Sequence, residues 1–290
     1  MPSGFLDHPR PIAFAQRGGA AHAPENSWRA FEHAVGLGYG YLETDLQATS
    51  DGVLLAFHDR TLGRVTGRTG RIARMPYREM SGALIGGTEP IPLLEDLLAA
   101  WPDIRFNIDL KDSPAIQPLA EVLRRTAAWD RVCVVSFSAS RLRAARRIFD
   151  RQVCMAASPI GTAVVRFGGP HVSPEDGPAR STAPLRAAGG PQGSAEAQLK
   201  LAPRHGPHAA LAERLARTGV RCAQVPPSIA TESFVGRAHA LGLQVHVWTV
   251  NDTATMTSLL DIGVDGIMTD ETVALRDVLI HRAQWHPRHG

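Results

Sequence analysis

Short apolar runs alternate with longer segments of helical periodicity along most of the 290-residue chain. The apolar runs are rich in β-branched residues, which favours strands. They predict strands at 11–15, 40–46, 53–57, 104–110, 132–137, 152–156, 222–225, 243–247 and 264–268. The periodic segments predict helices near 27–36, 93–100, 115–127, 139–150, 209–217, 231–241, 253–262 and 271–282. Ser27 and Thr231 stand where N-capping residues belong.

Strands and helices that alternate through a whole chain predict a parallel sheet with helices on its outside. About eight such units in about 250 residues is the size of a (β/α)8 TIM barrel. We therefore expect an α/β protein with a single barrel domain over residues 11–282. A doubly wound open sheet is the structural alternative.

One segment interrupts the alternation. Residues 168–207 contain seven glycines and seven prolines but few large aliphatic residues. Such a composition buries too little apolar surface to offset the entropy of ordering the segment. It predicts a mobile surface insertion in one barrel connection, with a lid over the site as the alternative.

Composition and charge exclude several classes of protein. The net charge of +3 is too small to indicate nucleic-acid binding, although a pI near 9.0 suits an anionic small-molecule substrate. The N-terminal residues lack a signal-peptide pattern, and no apolar run reaches the length of a membrane span. We expect a soluble cytoplasmic protein without stable membrane insertion.

The three cysteines are Cys133, Cys154 and Cys222, and each lies within or beside an apolar run. An odd number of cysteines in such positions predicts reduced core residues. A disulfide framework or a zinc site is not expected from this spacing.

Polar residues gather where the predicted strands end, which is where barrels carry their chemistry. They are Gln16, Arg17, Glu43, Asp45, Asp109 and Lys111. Glu43 and Asp45 are two residues apart, so they share one side of their strand. Three carboxylates together suggest a site for Mg²⁺ or Ca²⁺, with Arg17 and Lys111 left to balance an anion. The equally weighted alternative is an ion-pair network that closes the top of the barrel.

Two further side chains are candidates because of where they stand. His58 directly follows the predicted strand at 53–57, and a histidine beside a metal site suits general acid–base catalysis. Trp248 ends the strand at 243–247, where it either walls a substrate pocket or packs as an ordinary core residue. The five arginines between positions 141 and 151 are interpreted as the outer face of a barrel helix rather than a membrane or nucleic-acid surface.

These segments together resemble the glycerophosphodiester phosphodiesterase family. The matching motifs are Ala15-Gln-Arg-Gly-Gly, Ala23-Pro-Glu-Asn-Ser27, Leu42-Glu-Thr-Asp45, Thr49-Ser-Asp-Gly52, Phe57-His-Asp59, Arg64-Val-Thr66-Gly67, Phe106-Asn-Ile-Asp-Leu-Lys111, Val247-Trp-Thr-Val-Asn251 and Gly263-Val-Asp-Gly-Ile-Met-Thr-Asp270. The likeness runs from about residue 11 to 280, apart from the insertion.

The resemblance implies a (β/α)8 barrel that hydrolyses glycerophosphodiesters to an alcohol and glycerol 3-phosphate. It implies a divalent cation, Mg²⁺ or Ca²⁺, at Glu43, Asp45 and Asp109, and phosphate binding by Arg17 and Lys111. In the family mechanism the glycerol hydroxyl attacks phosphorus, and water then opens the cyclic phosphate that forms. Two histidines exchange the protons, and His58 matches one of them. The headgroup, the preferred cation and the oligomeric state are not implied.

The chain departs from the family pattern at the other catalytic histidine. The family has His-Arg-Gly where this chain has Gln16, Arg17 and Gly18. A glutamine amide forms hydrogen bonds but does not exchange a proton near neutral pH. His22 is a candidate substitute. The alternatives to a slow enzyme are a non-catalytic binder of glycerophosphodiesters on the same barrel and, less favoured, a sphingomyelinase-D-like phospholipase.

Overall fold

A computed structural model of the chain describes residues 4–149, 152–168 and 207–288. Eight parallel strands form its central sheet: β1 (Ile12–Ala15), β2 (Tyr41–Ala48), β3 (Arg105–Leu110), β4 (Val132–Val135), β5 (Cys154–Ala156), β6 (Val220–Val225), β7 (Gln244–Val247) and β8 (Gly266–Thr269). Each strand pairs with the next, and β1 pairs with both β2 and β8. The sheet is therefore a closed barrel, as predicted, and the open-sheet alternative is excluded.

Helices surround the barrel and connect its strands. The longer ones are Trp28–Gly36, Leu94–Ala100, Ile116–Arg125, Ala139–Ile148, Pro159–Gly168, Pro207–Arg217, Glu232–Ala240, Thr253–Asp261 and Thr272–His281. The side chains of Ser27 and Thr231 accept hydrogen bonds from the backbone N–H three residues later, so both predicted caps are confirmed. The helix Pro159–Gly168 was not predicted, because its apolar residues lie directly beside the Gly- and Pro-rich segment.

The predicted strand at 53–57 exists, but it is not a barrel strand. Leu54–Ala56 pairs antiparallel with the end of β2, so the chain turns back outside the barrel before the next helix. The hairpin puts Phe57, whose N–H donates to the carbonyl of Asp45 at 2.8 Å, beside the carboxyl end of β2. It thereby carries His58 to the mouth of the barrel.

The predicted insertion at 168–207 falls almost entirely outside the described residues. Only its two ends, Gly168 and Pro207, belong to described helices. Its mobility therefore stays a prediction.

The barrel interior is partly polar. Asn107 on β3 and Gln224 on β6 exchange two amide hydrogen bonds across it, at 3.1 and 2.8 Å. The cysteines of β4, β5 and β6 lie next to each other there, with their sulfur atoms within 4.8 Å of one another. None of the three is in a disulfide and all are buried, which confirms the prediction of reduced core residues, and burial raises the pKa of the Cys133 thiol well above its usual range.

In the described part of the chain, no helix combines the length and the apolar character needed to cross a bilayer. The cytoplasmic location stays a prediction.

A buried carboxylate holds the amino end of the barrel together. Asp265, just before β8, pairs with Arg10 at 2.5 Å and with His239 at 2.6 Å, and it accepts the backbone N–H of Val245 at 2.8 Å. Burial works to raise the pKa of Asp265, but the hydrogen bond from His239 and the other contacts lower it overall. The folded protein therefore favours the ionised form of this carboxyl group.

We expect Asp265→Asn to lower the free energy of unfolding by about 2 kcal/mol at neutral pH, because Arg10, His239 and the buried N–H of Val245 lose a charged acceptor. The pKa of Asp265 lies below its unfolded value of about 3.9. This stabilisation is therefore complete above about pH 4 and disappears as the pH falls through the folded-state pKa. Urea titrations of both proteins between pH 7 and pH 3 measure the difference.

Asp261→Asn is the matched control, since the interaction of the Asp261 side chain within the described part of the chain is an exposed ion pair with Arg282. It should change the free energy of unfolding by less than about 1 kcal/mol. A loss as small as this in Asp265→Asn would contradict the role assigned to Asp265.

Candidate active site

Three carboxylates meet at the carboxyl ends of β2 and β3. Asp45 and Asp109 are direct partners in the parallel register of the two strands, and Glu43 lies two residues before Asp45 on the same side of β2. All three side chains are buried. The closeness of Asp45 to Asp109 follows from the strand register, which the sequence alone did not specify.

Lys111 is the cation that joins the two strands at this point. Its Nζ lies 2.7 Å from Oδ1 of Asp45 and 2.7 Å from Oδ2 of Asp109. Burial works to lower the pKa of Lys111, but the two carboxylates raise it overall. The ammonium group therefore stays charged.

Arg17 is the second cation, and the tight turn after β1 places it. Its backbone N–H donates to Oε2 of Glu43 at 3.0 Å, and its Nε lies 3.1 Å from Oδ2 of Asp45 without hydrogen-bond geometry. Gly18 follows with φ +82°, and a Cβ there would lie 2.8 Å from the backbone of Ala30. Glycine is required because the turn packs directly on the first helix.

The chemistry and charge of these donors suit a divalent cation. Two cations face three buried carboxylates, and Oδ1 of Asp109 is buried without a hydrogen-bond partner. Burial, together with the charge of Asp45, raises the pKa of Glu43 well above its usual range. A hard cation with oxygen ligands would relieve both conditions.

Ion pairing is also present, so the two sequence-based alternatives are not exclusive. Within the described residues, Glu43, Asp45 and Asp109 do not offer three oxygens, one from each side chain, that all lie within 4.8 Å of one another. Lys111 and Arg17 contact the carboxylates instead. Metal binding by these three residues stays a prediction.

His58 is oriented by its neighbour in the sequence. Its Nδ1 lies 2.6 Å from Oδ1 of Asp59, and Oδ2 of the same carboxylate accepts from Nε of Arg64 at 2.5 Å. Because an ionised carboxylate only accepts hydrogen bonds, Nδ1 carries the proton. Nε2 of His58 is therefore the nitrogen left to exchange one.

A chain of charged side chains connects His58 with Arg17. Arg64 donates to both oxygens of Glu25, at 2.5 and 3.0 Å, and Glu25 accepts from Arg17 at 3.2 Å. Burial works to raise the pKa of Glu25, but the hydrogen bond from Arg64 and the charge of Arg17 lower it overall. Through these contacts Asp59, Arg64 and Glu25 fix the positions of the two candidate catalytic residues relative to each other. Those two residues are His58 and Arg17.

Asn26 fixes the orientation of Asp45. It is buried with φ +54°, its Nδ2 donates to Oδ2 of Asp45 at 3.1 Å, and its Oδ1 accepts from Thr44 at 2.8 Å. Asn26 and the three residues of the charged chain had no role assigned from the sequence. They lie within the motif segments quoted above, which was the signal available to find them.

Gln16 lies at the start of the same turn, and its Oε1 is buried without a hydrogen-bond partner. His22 lies elsewhere: its ring centroid is 5.1 Å from that of His33, and its Nε2 is 3.9 Å from Glu271. Among its described contacts none is with the carboxylates of β2 and β3. The geometry therefore does not support His22 as the substitute for the missing histidine.

Trp248 lies at the end of β7 and packs edge-to-face against Phe137, with ring centroids 5.4 Å apart. Phe137 follows β4 and is 63% exposed. The pair borders the mouth of the barrel, and its part in binding substrate stays a prediction.

Comparison with known proteins extends the likeness over the whole barrel. The profile of the glycerophosphoryl diester phosphodiesterase family matches residues 17–161 and 183–274, more than half of the chain. The chain belongs to this family. The resemblance noted in the sequence is thereby confirmed, and so is the prediction of an enzyme of this family.

Relatives in this family come from several bacteria. The Mycobacterium tuberculosis protein named "probable glycerophosphodiester phosphodiesterase 2" is 39% identical over 97% of this chain and 95% of its own length. A glycerophosphodiester phosphodiesterase of Bacillus altitudinis is 28% identical over 89% of this chain and 93% of its own. The structure of an Oleispira antarctica phosphodiesterase in complex with sn-glycerol-3-phosphate superposes with a TM-score of 0.68 at 20% identity, covering 93% and 97% of the two chains, which supports the fold.

We expect Glu43→Gln to raise the free energy of unfolding of the metal-free protein by about 1 kcal/mol at neutral pH, because an amide avoids the cost of burying this charge. The raised pKa means that folding opposes ionisation of Glu43. The gain should therefore vanish below the unfolded pKa of about 4.3, where both states are protonated. Thermal unfolding in EDTA at pH 7 and pH 4 measures it.

The same variant should lose the stabilisation that added Mg²⁺ or Ca²⁺ gives the wild type. A destabilised variant in EDTA, or equal stabilisation of both proteins by the cation, would contradict this account of Glu43.

Proposed function

We propose that the protein hydrolyses a glycerophosphodiester to an alcohol and glycerol 3-phosphate. The observation that carries this proposal is the cluster at the barrel mouth, in which Asp45 and Asp109 stand side by side with Lys111 between them. Buried carboxylates and cations in close contact suit a phosphodiester, whose negative charge needs paired cations. The family membership and the names of the relatives support the same reaction.

A divalent cation, Mg²⁺ or Ca²⁺, would be held by Glu43, Asp45 and Asp109. When bound it would neutralise negative charge on the phosphoryl oxygens. Arg17 and Lys111 bind the same oxygens from the protein side, and their ion pairs with the carboxylates hold them in position before substrate arrives. This preorganisation removes the cost of moving charges during the reaction.

The proposed chemistry needs one group to take a proton and another to give one. A glycerol hydroxyl attacks phosphorus, the bond from phosphorus to the alcohol oxygen breaks, and the alcohol leaves with a proton. Water then opens the cyclic phosphate to glycerol 3-phosphate. Nε2 of His58 exchanges one of these protons, because Nδ1 is held by Asp59.

Gln16 stands where the second proton-transfer group is expected, and its amide cannot serve. We therefore propose that the wild type binds glycerophosphodiesters and hydrolyses them slowly. The same observation favours a second candidate function, a glycerophosphodiester-binding protein without turnover. Assays with glycerophosphocholine and glycerophosphoglycerol in Mg²⁺, Ca²⁺ or EDTA separate the two.

Gln16→His should raise kcat by about 10²-fold or more and change KM little, because proton transfer acts in the transition state. The variant should also gain a limb in its pH–rate profile near the unperturbed histidine pKa of about 6.5. Gln16→Met, which keeps the size but adds no titratable group, is the control and should stay slow. A wild type as fast as Gln16→His would show that another group already transfers the proton.

Asp59→Asn should lower kcat by about 10- to 100-fold with little change in KM, because the amide no longer fixes the tautomer of His58. The test is best made in the Gln16→His background, where the rate is larger. Asp96→Asn, an exposed change of the same kind on the helix Leu94–Ala100, should leave both constants unchanged. A parallel rise in KM would indicate lost binding rather than lost positioning.

A further inference from the structure

A basic pocket adjoins the cluster of carboxylates. It has a volume of about 300 Å³, and four cationic side chains line it: Arg60, Arg71, Lys111 and Arg141. Lys111 belongs to both places, since its Nζ contacts Asp45 and Asp109 while the residue also lines the pocket. A group bound in the pocket would therefore lie next to the phosphoryl group that Lys111 binds.

Positive charge in this pocket exceeds negative charge. Lys111 is already paired with two carboxylates, and the carboxylate among the lining residues is Asp112. Three arginines thus face one aspartate. Among the described residues, the side chains of Arg60 and Arg71 form no hydrogen bond or ion pair.

Two of the lining side chains hold buried polar atoms without partners. Nη1 of Arg141 donates to the carbonyl of Leu110 and to Ser136, but its Nε is buried and has no hydrogen-bond partner. Oδ2 of Asp112 is also buried and has no hydrogen-bond partner. Arg141 therefore turns toward the end of β3 rather than lying on the outer helix face, as its position among the arginines of that helix had suggested.

The positive charges around this pocket repel one another, and a bound anion would reduce that repulsion. Burial lowers the pKa of Arg141; the charges of Asp109 and Asp112 oppose this shift, and the charge of Arg60 adds to it. Like charges gathered around a concave space, with unused donors among them, are stabilised by an anion that accepts from several of them. The volume lies at the lower end of the range for small-molecule sites.

We infer that this pocket binds the alcohol part of the substrate, and that it selects alcohols that carry a negative charge. The inference rests on the proposed function, because the pocket is placed next to the phosphoryl group by Lys111. A phosphate-bearing alcohol would place its anionic group among Arg60, Arg71 and Arg141. A cationic alcohol such as choline would be disfavoured by the same charges.

Binding measurements test this without depending on turnover. The full-length His58→Ala variant is used so that the phosphodiesters are not hydrolysed during the experiment. It is titrated calorimetrically at a fixed Mg²⁺ concentration. The ligands are bis(glycerophospho)glycerol, whose leaving alcohol carries one extra phosphate charge, and glycerophosphoglycerol, whose leaving alcohol carries none. We expect the first to bind about tenfold more tightly, and because each ligand has two equivalent glycerol ends, the ratio of affinities carries no statistical factor.

Arg60→Gln with Arg71→Gln in the same protein should reduce this ratio to near one. The affinity for glycerophosphoglycerol should change less than threefold. Arg78→Gln is the matched control, because it removes an exposed arginine from the same part of the chain but outside the pocket, and it should keep the ratio. Circular dichroism of each variant verifies the fold.

A ratio near one in the parent protein, or a ratio that survives loss of both arginines, would overturn the inference, as would failure of both ligands to bind. Turnover by the wild-type chain is measured separately with the same two compounds. If neither is hydrolysed but bis(glycerophospho)glycerol binds selectively, the proposed hydrolysis falls and the pocket assignment stands. If both are hydrolysed but without charge selection, the opposite follows.

Discussion

The burial of charge at the barrel mouth is the constraint on which the rest of the structure depends. Glu43, Asp45 and Asp109 are all nearly inaccessible to water, and burying unpaired carboxylates would cost several kcal/mol each. Lys111 and Arg17 offset part of this cost through close contacts. The part of this cost that they do not offset can be reduced when a cation and an anionic substrate bind. Burying these carboxylates therefore lowers the stability of the protein, while the same carboxylates form the proposed binding site.

This constraint explains the irregular parts of the chain near β1 and β2. Arg17 needs a left-handed turn to reach Glu43, and Gly18, which follows it, allows that turn to pack on the first helix. The antiparallel hairpin after β2 serves the same end of the barrel, because it brings His58 beside the carboxylates. Glu25 and Arg64 then join the two loops through ion pairs. Loops that would otherwise move independently are thus fixed to each other.

The opposite end of the barrel contrasts with the mouth. Asp265 is also buried, but Arg10, His239 and a backbone N–H satisfy its oxygens, so its charge is stabilised by the protein alone. In the interior between the ends, Asn107 and Gln224 satisfy each other, and the cysteines fill space beside apolar rings. Among the described residues, buried polar atoms that lack partners include Oε1 of Gln16 and Oδ1 of Asp109 at the mouth, and Nδ1 of His246 on β7. At the mouth these atoms lie beside unsatisfied charge, which is the condition that a bound ligand would relieve.

The sequence by itself determined the class of fold and the identity of the polar residues at the strand ends. Both follow from local rules: the alternation of strands and helices, the two-residue period that puts Glu43 and Asp45 on one side, and the end of a strand at Lys111. It did not determine that Val53 to Phe57 would leave the barrel, that Asp45 would stand beside Asp109, or that Arg141 would turn toward Leu110. Only the tertiary structure decided these, because strand register and barrel closure depend on contacts between residues far apart in the chain. The same reason applies to Asp59, Arg64 and Glu25, whose roles exist only once two separate loops are brought together.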